Sequence, residues 1–259
     1  MKSALKTIAL AAAIGLSAIS GAAAEQVRVG IAAEPYPPFA SPDASGNWEG
    51  WEVDFMKAIC AEAKLDCVIT TLTFDGLIPA LTSNKIDMII ASMSITAARQ
   101  QAIDFSDKYY KTLPAIIGPK DVKFQPTPEG LAGKTLGVQS GSIHQAYAER
   151  YFTPAGAALK EYQTQDEATN DLAAGRIDAF QADSIALSEY VKTEQGACCD
   201  VKGTVKDDPE ILGPGIGVGL RKGETELKDK VNAAIKAIRA NGTYETFSKK
   251  YFDFDLYGE

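Results

Sequence analysis

Ile86-Asp-Met-Ile-Ile-Ala-Ser-Met-Ser-Ile-Thr-Ala-Ala-Arg99 is the stretch around which the chain is organised. Ile86 to Ala91 is a short, mostly apolar run with the length and composition of a buried strand. Ser92 and Ser94 follow, two hydroxyls two residues apart. Thr96 is a helix-start signal, and Arg99 has no acid close to it in sequence. A strand that ends, turns and opens a helix brings backbone N–H groups, hydroxyls and one guanidinium into one small volume. That set suits a carboxylate, because a helix N-terminus attracts anions and Arg grips a carboxylate with two parallel hydrogen bonds. The same residues also suit a capped helix carrying a surface arginine, and both readings stand at this point.

The alternation continues on both sides. Val27–Ile31 reads as a strand, followed by the proline-rich Glu34-Pro-Tyr-Pro-Pro-Phe39. Asn47-Trp-Glu-Gly50 is a turn before a helix over Trp51–Ala63, and Cys67–Thr70 is strand-like. Asp75 is placed to cap a short helix through Leu81, with Pro79 near enough to its start to be tolerated. Thr112–Gly118 is an extended run containing Pro114. The pattern then restarts. Strands are expected at Thr135–Val138, Leu159–Tyr162 and Ile177–Phe180, and helices from Ser142 to Tyr151, Gln165 to Ala174 and Asp183 to Val191. Ile216–Leu220 is a second extended run, and helices over Glu224–Ala240 and Thr243–Tyr251 close the chain. Strands separated by helices predict parallel sheets in an α/β fold.

The N-terminus carries an export signal. Lys2 and Lys6 form a positive region, Ile8–Ile19 is a short apolar run, and Ala22-Ala-Ala24 supplies the small residues of a cleavage site. Residues 1–24 are therefore expected to be removed, so that 24 of 259 residues are lost and 235 remain. The first cysteine is Cys60, so none sits at the cleavage site to take a lipid. Cys60 and Cys67 flank the end of the Trp51 helix, and in an oxidising compartment they are expected to form a disulfide. The adjacent Cys198 and Cys199 suit a vicinal disulfide, two thiols or contacts between chains. One histidine and no CxxC pair argue against zinc, and no cofactor is expected. The net charge of −8 falls to −10 without Lys2 and Lys6, which leaves no basic face for nucleic acid or for a membrane. No apolar run is long enough to span a bilayer.

Several ordered motifs then point one way. Gly30…Tyr36-Pro-Pro-Phe39, Gly50-Trp-Glu-Val-Asp54, Phe74-Asp-Gly-Leu-Ile-Pro79, Ser92 through Arg99, Ile103-Asp-Phe-Ser-Asp107, Gly175-Arg-Ile-Asp178 and Asn241-Gly-Thr-Tyr244 stand in order along the chain. The sequence resembles the bacterial extracellular solute-binding proteins of family 3, the periplasmic amino-acid receptors of ABC importers. Within that family it is similar to the histidine and lysine/arginine/ornithine-binding branch, down to Lys250-Tyr-Phe-Asp-Phe-Asp255. The resemblance implies a two-lobed, type II periplasmic-binding-protein fold with the ligand in the cleft between the lobes. Lobe 1 would be 25–113 plus 213–259 and lobe 2 would be 114–212, joined by two crossing hinge segments. Glycines near the second crossing would absorb a hinge rotation.

The same resemblance assigns a site. Arg99 would clamp the ligand α-carboxylate, with Ser94 beside it and the loop at Ser142 and Ile143 meeting it from lobe 2. The Ser92 carbonyl and the Asp183 carboxylate would take the α-ammonium, although Asp183 also reads as a helix N-cap, and both roles can hold at once. Tyr36 and Phe74 would sandwich the ligand side chain, whereas Trp51 reads as core packing and His144 as a surface helix residue. Glu34 is the candidate acid for a distal cation, in a loop one residue longer than usual for the family. Gln139 stands where the branch has an apolar residue, and Ala91 where it has a serine.

The expected function is capture of an L-amino acid, basic if Glu34 faces the cleft, and delivery to an ABC permease, by a protein acting as a monomer. Gln139 keeps an opine such as octopine or nopaline, or a polar neutral amino acid, as alternatives. A cyclohexadienyl dehydratase-like enzyme is a remote one, because such chemistry needs a poised proton donor and has less use for an ammonium clamp.

Overall fold

The structure is a computed structural model that describes residues 26–258; the predicted signal segment, 1–24, lies outside the described residues. The first half of the chain forms β1 (Gln26–Ala32), a small hairpin of β2 (Ser41–Pro42) and β3 (Trp48–Glu49), α1 (Trp51–Glu62), β4 (Asp66–Leu72), α2 (Leu77–Thr82), β5 (Met88–Ile89) and β6 (Ile103–Tyr110). The next segment forms β7 (Pro114–Pro119), α3 (Pro128–Leu131), β8 (Thr135–Gln139), α4 (Ile143–Tyr147), β9 (Ala158–Tyr162), α5 (Gln165–Ala173), β10 (Ala179–Asp183), α6 (Ser184–Tyr190), β11 (Cys199–Thr204) and α7 (Pro209–Leu212). The chain ends with β12 (Ile216–Arg221), α8 (Thr225–Ala240) and α9 (Thr243–Ser248).

Two five-stranded sheets result, with orders β4-β1-β5-β12-β6 and β11-β7-β10-β8-β9. This is the two-lobed α/β architecture expected, with one correction: the sheets are mixed, not parallel. β12 runs antiparallel to β5 and β6, and β7 runs antiparallel to β10 and β11. These are the first strands after each passage of the chain from one sheet to the other. Each enters its sheet from the facing side, without the crossover helix that would keep it parallel.

Each sheet buries its own core. Trp51, Phe55, Tyr109, Tyr110, Tyr244 and Phe247 pack around α1, α8 and α9, and Trp51 is fully buried, with its indole N–H donating to Ser248 Oγ at 2.9 Å. Leu136, Val138, Tyr147 and Phe152 centre a core in the second lobe. The Cys60–Cys67 disulfide, with Cα atoms 6.2 Å apart, ties the end of α1 to β4 as expected. Cys198 and Cys199 are also joined to each other, which selects one of the open alternatives.

Two local expectations fail. No helix begins at Thr96; the chain makes a turn and one 3-10 turn over Arg99–Gln101. Asp75 caps nothing, because it lies inside a 3-10 turn (Phe74–Gly76) and α2 starts after Gly76 without a side-chain cap. The strand with this corner is only two residues long, and Ser94 instead bridges to Ile216 at the start of β12. Gly213 is a fixed point of the return passage. Its φ is +71°, and a Cβ there would overlap the Ile95 carbonyl oxygen, so only glycine fits without a shift.

Candidate functional site

The two lobes face each other across a cleft lined by Glu34, Tyr36, Glu52, Phe74, Ser92, Ser94, Arg99, Gln139, Ser142, Ile143, His144, Gln165 and Asp183, among others. Every ligand-site residue expected from the sequence lies on this one surface.

Arg99 is half-buried in the mouth of the corner that opened the sequence reading. Its guanidinium donates to the Ser94 carbonyl at 3.0 Å and, across the cleft, to the Gly141 carbonyl at 3.1 Å. The Phe74 ring lies beneath it, 5.6 Å from Cζ to ring centre, within cation–π range. Burial draws the Arg99 pKa down to about 10, opposed by the charge of Asp183. Opposite, Ser142 is the N-cap of α4, its hydroxyl accepting from Gln145 N at 3.2 Å and donating to the Gln139 carbonyl at 2.6 Å. Ile143 opens that helix, where the first amides have no intrahelical partner.

Asp183 ends β10 at the N-cap position of α6, yet its carboxylate makes no capping bond. The two roles allowed by the sequence therefore separate: the carboxylate turns to the cleft, where it accepts from Tyr36 OH at 2.7 Å. Burial lifts its pKa to about 6 against the lowering effects of the Tyr36 bond and of Arg99. Tyr36, stacked on Phe39 at 5.6 Å, is in turn pushed well above the phenolic range by burial and by Asp183.

Two residues around this pole were not expected in the cleft from the sequence. Glu52 on α1 is 2% exposed and accepts from Ser92 N at 2.7 Å, Ser92 Oγ at 3.0 Å and Tyr109 OH at 2.5 Å. Ser92 sits at φ +51°, a left-handed conformation uncommon for serine; the Glu52 bonds hold it there. Burial raises the Glu52 carboxyl to about 7 despite these donors. The sequence did hold a signal: Glu52 falls in register with Phe55, Met56, Ile59 and Cys60, the apolar stripe of its helix. His144 corrects an expectation. It is not on the surface but 5% exposed in the cleft wall, with Nε2 3.7 Å from Asp183 Oδ1. Burial, with Arg99 nearby, drops its pKa to about 3, so the imidazole is neutral.

Glu34 faces the cleft and is 8% exposed. Its carboxylate accepts from the Gln139 side chain and from the Gln165 backbone N–H, the first amide of α5. The Gln165 side chain donates to Gln139 Oε1 at 3.2 Å, and Gln139 Nε2 also reaches the Gln163 carbonyl at 3.2 Å. Burial lifts the Glu34 carboxyl to about 7, more than these bonds lower it. Among the described residues no cluster of three or more metal-ligating side chains occurs.

Comparison with known proteins agrees with this geometry. The model of the bacterial extracellular solute-binding proteins, family 3, matches residues 27–254. The L-arginine-binding protein of Pseudomonas aeruginosa is 42% identical over 98% of this chain and 99% of its own length. The lysine/arginine/ornithine-binding periplasmic protein of Escherichia coli is 41% identical over 97% and 98%. Among solved structures, an ancestral arginine-binding protein bound to arginine superposes with a TM-score of 0.82 at 34% identity, covering 89% of this chain and 99% of that one. An ancestral amino-acid-binding protein described as a precursor of cyclohexadienyl dehydratase gives 0.77 at 29% identity, covering 88% and 96%. With two lobes closed over one polar cleft and a family match across nearly all the described residues, the chain belongs to the bacterial extracellular solute-binding proteins of family 3.

Proposed function

We propose that the protein is a periplasmic receptor that captures a basic L-amino acid between lobes 25–113 plus 213–259 and 114–212, and hands it to an ABC permease. The observation that carries this is a charge imbalance. The cleft lining includes three carboxyl groups, Glu34, Glu52 and Asp183, against the single guanidinium of Arg99, and His144 is neutral. Glu52 is taken up by Ser92 and Tyr109, so two carboxyl groups and one guanidinium remain for a ligand, and the two cations and one anion of a basic amino acid are their complement. Its carboxylate would lie on Arg99 with Ser94, Ser142 and Ile143 around it, and its ammonium on Asp183 and the Ser92 carbonyl. Tyr36 and Phe74 would flank the side chain, and its distal cation would reach Glu34 beside Gln139. Ligand favours closure because each lobe holds half of these contacts. The arginine- and lysine/arginine/ornithine-binding relatives support the same ligand class.

An opine such as octopine fits the charge pattern less well, since its extra carboxylate is carried on the α-nitrogen and would meet Asp183, and Gln139 is already engaged with Glu34. Catalysis by the dehydratase route needs a proton donor free to reach a leaving group. Glu34 has suitable acidity, but both its oxygens are held by lobe-2 donors, so the protein acts by binding and release. Incubation with prephenate or arogenate is expected to give no aromatic product; a Glu34-dependent product would contradict it.

A thermal-shift screen of the common amino acids, octopine and nopaline tests the ligand class. The largest shift is expected with arginine, lysine, ornithine or histidine, and ligand at about 100 times its dissociation constant adds roughly 2.7 kcal/mol of stability. A neutral or acidic amino acid, or an opine, as the strongest ligand would overturn the proposal.

A further inference from the structure

Glu34 occupies an unusual place among the contacts between the lobes. It belongs to the loop after β1, in the first lobe, yet its recorded partners, the Gln139 side chain and the Gln165 amide, are in the second. The Gln165–Gln139 bond and the bond from Gln139 to the Gln163 carbonyl brace those donors against each other. The carboxylate is thereby inserted at the N-terminus of α5, a helix of nine residues with a full capping box at Thr164 and Glu167. Opening the cleft must break these bonds and return the carboxylate to water; closing it buries the carboxylate again.

We propose that Glu34 is a proton-coupled latch between the lobes: closure over a neutral side chain draws one proton from solvent onto its carboxylate, whereas closure over a cationic side chain does not. The inference rests on the binding reading above and supplies its discriminating step. In the closed cleft the bonds from Gln139 and Gln165 only partly compensate burial, and Asp166 and Glu167 at the start of α5 add like charge; the acid is lifted to about 7. A ligand cation at this end supplies the missing charge and keeps the group ionised. A neutral ligand of the same shape leaves protonation as the remaining way to close. The neutral amide Gln139, where an apolar residue would offer no bond, allows either form of the acid a partner, as donor to the carboxylate or, through Oε1, as acceptor from the carboxylic acid. The protein would thus favour basic ligands more strongly as pH rises towards about 7.

Other titratable groups face the same cavity: Asp183, lifted to about 6, Glu52, lifted to about 7, Arg99, Tyr36 and the neutral His144. They lie around the end expected to hold the ligand's α-carboxylate and α-ammonium. Two ligands that share that end and differ only at the distal group cancel their effects. L-Arginine and L-citrulline are such a pair, alike in length and shape, one cationic and one neutral.

The experiment is calorimetric titration of the mature protein with L-arginine and with L-citrulline from pH 5 to 8.5, for the wild type, Glu34→Gln and Gln139→Leu. The expected result is an arginine-to-citrulline affinity ratio that rises with pH towards tenfold per unit, the slope of one coupled proton, between the ordinary carboxyl value of 4.5 and about 7, and levels off above 7. In Glu34→Gln the ratio should be flat with pH and smaller. In Gln139→Leu both ligands should bind several-fold more weakly, since a lobe-to-lobe bond is lost. A pH-independent ratio in the wild type, a slope that survives Glu34→Gln, or an unchanged affinity for both ligands in Gln139→Leu would overturn the latch. If citrulline bound with the expected slope while arginine bound no better at any pH, the basic-ligand reading would fail and the latch would stand. Failure of both ligands to bind would overturn both.

Discussion

At the scale of single residues, the site is a set of charges held in place by neutral donors. Arg99 and Asp183 are the two proposed poles, one from each lobe, and each is also bonded across the cleft. A hydrogen bond to a charged group contributes roughly 1.5–3 kcal/mol. Arg99→Ala or Asp183→Asn should therefore weaken L-arginine binding by about 10- to 150-fold in calorimetry, with the fold retained by circular dichroism. Loss of less than about threefold in both would remove them from the site. Glu52 makes a different prediction. Its carboxyl is raised from an ordinary value of 4.5 to about 7 in the folded protein. Between these values the folded state holds a proton that the unfolded state has given up, so stability falls as pH rises through that window. Glu34 adds a change of the same sign. Urea unfolding at pH 5 and pH 8 should show the wild type less stable at pH 8, and Glu52→Gln should lose part of that difference. An undiminished pH effect in the variant would show that Glu52 is not the buried acid responsible.

At the scale of elements, the end of α1 is the clearest case of cause and effect. Ala63 continues to a residue at positive φ, Lys64, and the chain turns directly into β4, with Cys60 and Cys67 linked across the turn. Closing so short a loop restricts the unfolded chain by about 2.5 kcal/mol in the chain-entropy estimate. The double variant Cys60→Ser/Cys67→Ser should lose about that much in urea unfolding while keeping ligand affinity; an unchanged midpoint would contradict it. The helices with an apolar stripe and clear ends, α1, α5 and α8, were legible in sequence almost to the residue. The strand direction was not. Nothing in the periodicity of Pro114–Pro119 or Ile216–Arg221 records that each has just crossed from the other lobe, and it is that passage which reverses them. β6 and β11 were also unread as strands, because Asp104, Asp107 and Lys108, and Asp200 and Lys202, interrupt the apolar pattern of strands whose partners are distant in sequence. For the candidate site, ordered motifs named residues that share one cleft, but the burial of Glu52 and His144 depends on what packs over them. A buried acid and a surface acid look alike until Ser92, Tyr109 and the second lobe are in place.

At the scale of the whole molecule, the cleft is closed by bonds that run from one lobe to the other: Tyr36 to Asp183, Arg99 to the Gly141 carbonyl, and Glu34 to Gln139 and Gln165. They lie at the cleft, so the residues proposed to recognise a ligand also hold the lobes together. The passages between the sheets are short, and Gly213 with its positive φ lies directly against the Ile95 carbonyl, just past Ser94. The corner at Ser94 and the returning strand are therefore mechanically adjacent. The most direct test is a crystal structure of the protein loaded with L-arginine. The expected density shows the α-carboxylate on Arg99, the α-ammonium on Asp183 and the guanidinium within hydrogen-bond distance of Glu34. A bound molecule with Arg99 and Asp183 both turned away from it would contradict the two-pole capture on which everything else depends.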